Sequence, residues 1–217
     1  MAVQLPLPLE AREHYTREDF LVGPGYRQAV DFLDSWPAWP SPAAALYGPS
    51  GSGKTHLAQV WAGRAGARIL EAAAIGENTE LPSGALVVEN AGSARLDDAA
   101  ERALFALIER GGPLLLTGHE PPHAWQATLP DLTSRFRALL AFPLWAPDDA
   151  LLEALAKKLF AGRQLIVPDA VAAQMVRALE RSPAAVRDFV AKADREALAR
   201  KCPVSVALVR ELLAKQG

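Results

Sequence analysis

Four residues of the sequence have the types and the spacing of a phosphate-binding loop. Gly48, Gly53, Lys54 and Thr55 fit the pattern G-x-x-x-x-G-K-[ST]. In such a loop the glycines let backbone N–H groups point at a phosphate, the lysine reaches the β- and γ-phosphates, and the threonine hydroxyl binds Mg²⁺. We therefore predict a site for ADP or ATP, with Mg²⁺ if a metal is bound. The expected contacts come from Pro49, Ser50, Gly51, Ser52, Gly53, Lys54, Thr55 and His56.

The segments on either side of the loop fit this interpretation. Residues 43–47 form a short apolar run, which predicts a buried strand, and residues 54–65 have the periodicity of a helix. A loop between a strand and a helix places an anion at the helix N-terminus, where the helix dipole favours it. The alternative interpretation is an ordinary glycine-rich turn before a helix.

A second candidate lies at residues 86–90, an apolar run that ends in Glu89 and Asn90. This pattern predicts a buried parallel strand with its polar end at the sheet edge. In nucleotide hydrolases with such a loop, one acid here holds Mg²⁺ and a second orients the attacking water. Glu89 can fill the first position, although a solvated strand end is the alternative. Asn90 stands at the second position, and because an amide cannot accept a proton we expect weak hydrolysis by this chain itself.

Two arginines could stabilise charge on a phosphate. Arg135 follows Thr133 and Ser134, and is either a surface charge or an arginine finger that acts on nucleotide bound by a neighbouring subunit. Arg187 lies early in a predicted helix and could reach back to the nucleotide. Spacing alone favours an ordinary surface position for both. His119 and His123 do not make a convincing metal site, because the prolines between them prevent helical presentation and no third ligand is close.

Strand and helix patterns alternate along the first two thirds of the sequence, which predicts an α/β fold with a parallel sheet covered by helices on both faces. The nucleotide should lie at the carboxyl ends of the strands. After residue 146 the pattern becomes helical, apart from a short strand-like segment at 164–167. We predict a flexible tail over residues 1–16, a nucleotide-binding α/β subdomain over 17–146 and a helical lid over 147–217. Ser182 followed by Pro183 predicts a capped helix start within this lid.

The predicted tail contains a leucine at every second position of one segment, made of Gln4, Leu5, Pro6, Leu7, Pro8 and Leu9. The prolines keep this segment out of a helix, so the leucines point to one side of an extended chain. Such a row can enter a pocket of a partner protein, or it can dock on the surface of its own chain. The spacing does not separate these two alternatives.

Composition excludes several classes of protein. The counts of 23 basic and 25 acidic residues give a net charge of −2. Proteins that bind nucleic acid usually have a clustered basic surface, so we do not expect direct sequence-specific binding of nucleic acid. The single cysteine, Cys202, excludes a disulfide framework within one chain and suits a reducing compartment. There is no apolar run of membrane-spanning length and no signal-peptide pattern, so we expect a cytoplasmic location.

With these residues in view, the sequence resembles the AAA+ family, and within it the Hda-type regulators of the replication initiator DnaA. Segments that resemble family motifs include Phe20 to Gly23, the phosphate loop, 86–90, the stretch 117–122, Ser134 to Phe136 and residues 183–187. The resemblance implies that Leu21 and Val22 pack on adenine and that Arg187 senses the nucleotide. It also implies that Arg135 is an arginine finger that acts in trans on ATP bound to DnaA.

The resemblance further implies two protein partners. Residues 4–9 resemble the motif by which such regulators bind the DNA polymerase sliding clamp, and the DNA-binding domain of DnaA is expected to be missing. The implied function is to stimulate ATP hydrolysis on DnaA and so prevent reinitiation, with ADP as the ligand of this chain. Gly25-Tyr26, Glu89-Asn90 and His119 depart from the family pattern, which again indicates weak hydrolysis. Alternatives are an autonomous ATPase that loads or remodels a replication protein and a scaffold that only binds; whether two copies associate stays open.

Overall fold

A computed structural model describes residues 15–76, 79, 83–92 and 96–215 of the chain. Its centre is a five-stranded parallel sheet with the strand order β2-β3-β4-β1-β5. The strands are β1 (Ala43–Tyr47), β2 (Arg68–Glu71), β3 (Leu86–Glu89), β4 (Leu114–Gly118) and β5 (Leu140–Pro143). The predicted fold class is confirmed.

Eight α-helices accompany the sheet in the described part of the chain. Four belong to the sheet-containing half, namely α1 (Arg27–Asp34), α2 (Lys54–Ala65), α3 (Asp98–Glu109) and α4 (Pro130–Ala138). The other four follow the last strand: α5 (Asp149–Gly162), α6 (Asp169–Ala178), α7 (Pro183–Arg200) and α8 (Val206–Ala214). None of the eight helices in the described residues is long and apolar enough to cross a membrane.

Both faces of the sheet are covered by helices, so its strands are apolar at nearly every position. Successive side chains point to opposite faces, and each face therefore buries its own set. On one face Leu46 and Val87 pack with Leu57 and Trp61 of α2. On the other face Leu116 packs with Leu104 of α3 and the start of α4. Because all five strands are parallel, their carboxyl ends lie at one edge of the sheet, and the site described below is at that edge.

The helices after β5 build a hydrophobic core of their own. Phe160, Met175, Phe189 and Val209 are buried in it, one from each helix. Side-chain caps start three of these helices, and the predicted one is confirmed: the backbone N–H of Ala185 donates to Ser182 Oγ at 3.1 Å.

The strand-like prediction for residues 164–167 is wrong. This segment has no strand assignment, Gln164 has a left-handed φ of 59°, and the Ile166 side chain is fully exposed. Its position between α5 and α6 leaves it without a neighbouring strand to pair with. Two other boundaries also differ. The apolar pattern of residues 138–144 predicts a strand over that range, whereas Ala138 ends α4 and β5 covers only Leu140–Pro143. The strand predicted over 86–90 stops at Glu89, because Asn90 turns the chain with φ 60°.

A buried carboxylate joins α3 to the start of α4. Glu101 is only 3% exposed and accepts hydrogen bonds from Thr128 N at 2.7 Å, Thr128 Oγ1 at 2.8 Å and Leu129 N at 2.7 Å. Burial opposes the ionised form, but these three hydrogen bonds together outweigh it and hold the pKa of Glu101 below its usual range. Glu101 thus satisfies backbone donors where α4 begins, and so fixes the helix that contains Arg135.

Replacing Glu101 by glutamine will destabilise the fold by about 1.5–3 kcal/mol, since the amide turns an N–H group toward donors that need an acceptor. Thermal unfolding measures this change, with Glu180→Gln at an exposed position as the control. Because the folded pKa of Glu101 is depressed, its contribution is present above the pKa of the unfolded chain and is lost as the pH falls through the folded value. An unchanged melting temperature at neutral pH would contradict the account.

Candidate functional site

The loop between β1 and α2 has a backbone that only glycine accommodates at two key positions. Gly48 has φ 151°, and a Cβ there would lie 2.0 Å from the carbonyl oxygen of Leu144. Gly53 has φ 95°, and a Cβ there would lie 2.8 Å from Cε2 of Phe20. Both glycines of the sequence pattern are therefore required by conformation and by close packing.

Lys54, the first residue of α2, folds against this loop. Its side chain is 8% exposed, and Nζ donates to the carbonyl oxygens of Gly48 and Pro49, each at 2.8 Å. Burial lowers the pKa of Lys54, while the nearby charge of Glu89 opposes that change. The ammonium is thus held at the mouth of the loop, where an anionic ligand would favour its charged form.

Glu89 lies beside α2 at the carboxyl end of β3. Its side chain is 8% exposed, and the Thr55 hydroxyl donates a hydrogen bond to its carboxylate. The pKa of Glu89 is raised, mainly because the carboxylate is buried and also because the negative charge of Glu71 is near. The hydrogen bond from Thr55 and the positive charge of Lys54 both lower this pKa, but they do not cancel the effect of burial. Within the described chain, Glu89 Oε1 and Ser52 Oγ are both buried without a hydrogen-bond partner. Such atoms suit a divalent cation and a phosphate, so the residues fit Mg²⁺ held by Thr55 and Glu89.

A cavity of about 280 Å³ opens beside the loop. Of the predicted site residues, it brings together Ser50, Gly51, Gly53, Lys54, Thr55, His56 and Arg187. Tyr15, Asn90, His119, Pro183 and Ala184 line it as well. Tyr15 was not predicted, since it lies in the expected tail and no spacing in the sequence links it to the loop.

His56 joins three parts of the chain at this cavity. Nη2 of Arg187 lies 3.0 Å from His56 Nδ1, and His56 Nε2 lies 2.9 Å from the carbonyl oxygen of Thr16. Because arginine can only donate, Nδ1 accepts and the ring proton is on Nε2, which donates to Thr16. The ring also packs edge-on against Tyr15 at a centroid distance of 5.1 Å. The side chain of His56 thus connects helix α7 to the residues that precede α1.

A narrow, mainly apolar cleft adjoins the cavity. Phe20, Leu21 and Tyr26 line it on one side, and Leu151 and Leu155 of α5 line it on the other. Leu21 therefore lines a cleft beside the loop, and its contact with adenine stays a prediction. Val22 does not line the cleft and is 39% exposed, whereas Phe20, next to Leu21, contacts the loop through Gly53.

Asn90 turns the chain immediately after Glu89. Its backbone N–H donates to Thr117 Oγ1 at 3.0 Å, and its side-chain Nδ2 donates to Glu71 Oε2 at 2.9 Å. The amide therefore lines the cavity while it is tethered to a carboxylate on the neighbouring strand.

Arg135 lies on α4, and the described residues that line the loop cavity do not include it. Its Nε is 2.7 Å from Glu109 Oε1, and the side chain is 47% exposed. The structure thus places Arg135 on an exposed surface, paired with α3, rather than at the site of its own chain. The predicted clamp-binding segment, residues 4–9, lies outside the described residues.

Comparison with known proteins identifies the fold. No protein-family model matches the chain, and no curated protein sequence does. Domain III of the replication initiation protein DnaA of Thermotoga maritima is similar with a TM-score of 0.73 and 18% identity, over 93% of this chain and 96% of that one. The RuvB Holliday junction branch migration motor of Thermotoga maritima is similar with a TM-score of 0.69 and 18% identity, over 91% and 70%. A replication initiator DnaA bound to AMPPCP and single-stranded DNA is similar with a TM-score of 0.69 and 17% identity, over 86% and 67%.

These similarities, together with the loop and the sheet order, show that the chain has the AAA+ P-loop fold. At these identities the comparison establishes the fold alone, so activity, ligand and partners are proposals.

Proposed function

We propose that this protein is a nucleotide-binding regulator of replication initiation, similar to the Hda-type regulators. It binds ADP at the β1–α2 loop, binds the sliding clamp through its N-terminal segment, and stimulates ATP hydrolysis on DnaA. The observation that best supports nucleotide binding is that the buried side chains of Lys54 and Glu89 lie at the loop beside the hydroxyl of Thr55, with a carboxylate oxygen of Glu89 that has no hydrogen-bond partner among the described residues.

At the proposed site each residue has a distinct task. A bound nucleotide supplies the phosphate charge, with Mg²⁺ if present. The loop N–H groups and the N-terminus of α2 surround that charge, and Lys54 moves its ammonium from the loop carbonyls to the phosphates. Thr55 and Glu89 hold the cation, while Arg187 reaches the phosphates from α7. Leu21, beside Phe20 and Tyr26, excludes water from the base.

The proposed action in trans is supported by the surroundings of Arg135. An arginine that served its own chain would be expected to line the cavity, but Arg135 is exposed and paired with Glu109. That pairing uses Nε, and a guanidinium has further donors on its two terminal nitrogens. The similarity in fold to DnaA supports a DnaA molecule as the neighbour whose ATP these nitrogens would contact.

The proposed clamp contact gives a prediction about the N-terminal segment. Replacing Gln4 and Leu5 by alanine removes a hydrogen-bonding amide and one leucine of the alternating row, and we expect it to abolish clamp binding. ADP affinity should stay at the wild-type value, because the loop and its cavity are formed by other residues. Surface plasmon resonance on immobilised clamp measures the first effect and calorimetry the second. Retained clamp binding by the double variant would refute the assignment of residues 4–9.

A second prediction concerns hydrolysis by the isolated protein. We expect turnover well below the roughly 1 per second that marks the low end of typical enzymes, because Asn90 supplies no proton acceptor of its own and no neighbouring subunit supplies an arginine finger. Asn90→Asp or Asn90→Glu alone should raise it little, since the neighbouring subunit's finger is still missing. Phosphate release under steady-state conditions measures both rates. A robust wild-type turnover would instead favour an autonomous ATPase.

That autonomous ATPase, acting to load or remodel a replication protein, is the second candidate. The specific observation in its favour is that Glu89, Thr55 and Arg187 lie around one site, as an active hydrolase needs. An assay of ATP hydrolysis with and without DnaA and clamp separates the two. The regulator hydrolyses little alone and accelerates hydrolysis on DnaA, whereas the autonomous enzyme turns over ATP without them.

A further inference from the structure

The amide of Asn90 is bonded to a carboxylate that comes from a different strand. Its Nδ2 donates to Glu71 Oε2 at 2.9 Å, and Glu71 is the last residue of β2. Asn90 itself lines the loop cavity and follows the cation-binding candidate Glu89 directly. A carboxylate therefore stands within one hydrogen bond of the position where a water-orienting acid is absent from the sequence.

Strand register explains this proximity. In the parallel pair β2–β3, Glu71 lies opposite Glu89, so both side chains begin at the carboxyl edge of the sheet. The charge of Glu71 is close enough to contribute to the raised pKa of Glu89. Glu71 is exposed and is not among the described residues that line the cavity, but it lies at the same strand edge as Glu89 and contacts the cavity-lining Asn90 directly.

The contact with Asn90 also suits a carboxylate that acts on a water molecule. An amide N–H fixes the direction of the carboxylate without neutralising it, whereas a lysine or arginine partner would reduce its basicity. The contact uses one oxygen, and an ionised carboxylate can accept about four hydrogen bonds. The pair therefore combines the two properties that position 90 alone does not have, a defined geometry and a proton acceptor.

We propose that Glu71 is the water-orienting carboxylate of this site and that Asn90 is its positioning residue; this inference rests on the nucleotide site proposed above. Glu71 accepts a hydrogen bond from the attacking water. As the water oxygen bonds to the γ-phosphorus of ATP, the bond between that phosphorus and the bridging oxygen breaks, and its electron pair leaves with ADP. The proton of the water passes to Glu71 and then to the released phosphate.

The test is Glu71→Gln, which keeps an acceptor for Asn90 and removes the ability to take a proton. Single-turnover hydrolysis of ATP by the isolated full-length protein should fall about 100-fold, the lower end of the effect of a general base. Affinity for ADP should not change in calorimetry, but the additional affinity for ADP with aluminium fluoride over ADP alone should be lost. Glu180→Gln, at an exposed position away from the strand ends, is the control and should match the wild type.

Two results would overturn the inference. One is a Glu71→Gln protein that hydrolyses ATP and binds ADP–aluminium fluoride as the wild type does. The other is a wild type with no single-turnover hydrolysis despite normal ADP binding. Failure of the wild type to bind ADP at all would instead refute the proposed nucleotide site, so the two failures are distinguishable. Circular dichroism melting of both variants shows that they are folded.

Discussion

Replacing Arg135 by alanine is expected to remove the stimulation of ATP hydrolysis on DnaA, with a loss of about 10³–10⁵ in rate, which is the usual contribution of an arginine finger. The physical reason is that the guanidinium meets charge that develops on the transferred phosphoryl group, and alanine leaves that charge without a donor. The measurement is the amount of DnaA-bound ATP hydrolysed over time, with clamp loaded on DNA.

The same helix provides a matched control for this experiment. Arg137 is also exposed on α4, but two residues further along it points to a different side of the helix, so Arg137→Ala removes the same charge from the same helix at another position. We expect it to keep most of the stimulation. Both variants should bind ADP and clamp normally, because neither residue lines the cavity among the described residues. If Arg135→Ala stimulates as well as the wild type, the proposed mechanism in trans is wrong.

Mixing variants then tests whether one molecule must both dock and stimulate. Arg135→Ala keeps the N-terminal segment, and the Gln4→Ala, Leu5→Ala variant keeps the arginine. If one chain does both jobs, the mixture stays inactive. Recovery of stimulation in the mixture would indicate a dimer in which one subunit docks and the other supplies Arg135.

Replacing Lys54 by alanine is expected to lower ADP affinity by roughly 10- to 100-fold, because hydrogen bonds to charged groups contribute about 1.5–3 kcal/mol each. Lys54 is the buried cation at the loop, and its Nζ already contacts Gly48 and Pro49. Isothermal titration calorimetry measures the change. The exposed Lys215→Ala is the control, and it should bind ADP as the wild type does.

Loss of Lys54 also changes the loop itself, so stability must be measured alongside binding. Both loop carbonyls lose their buried donor, and thermal unfolding without ligand shows how much this costs. Added ADP should then raise the melting temperature of the wild type more than that of the variant, because ligand binding stabilises the folded state by mass action. Equal ADP affinity in the two proteins would refute the nucleotide site.

The parts of the site that sequence predicts well are local ones. The loop of Gly48 to Thr55 could be predicted because its glycines, lysine and flanking strand and helix are consecutive in sequence. The fold class followed from the alternation of apolar runs and helical periodicity, which reflects burial on both faces of a parallel sheet. In both cases the signal is contained in short windows.

The parts that sequence could not predict depend on register and tertiary packing. The bond between Asn90 and Glu71 exists because β2 and β3 pair with Glu71 opposite Glu89, and nothing near Asn90 in the sequence specifies that register. The contact between Arg187 and His56 spans 131 positions and depends on how α7 lies over the loop. The strand prediction for residues 164–167 was wrong for a related reason. The local apolar pattern was present, but the tertiary structure places no strand beside this segment with which it could pair.

The bridge made by His56 has a thermodynamic consequence for the two ends of the proposed function. Its two ring nitrogens are committed to Arg187 and Thr16, so a phosphate that attracts Arg187 removes one of the contacts that fix the ring. Thr16 is the residue that this ring contacts on the N-terminal side of α1. If the proposed clamp and nucleotide sites are coupled through this bridge, binding at one changes affinity at the other. Coupling of this kind is reciprocal: the factor by which nucleotide changes affinity for clamp equals the factor by which clamp changes affinity for nucleotide.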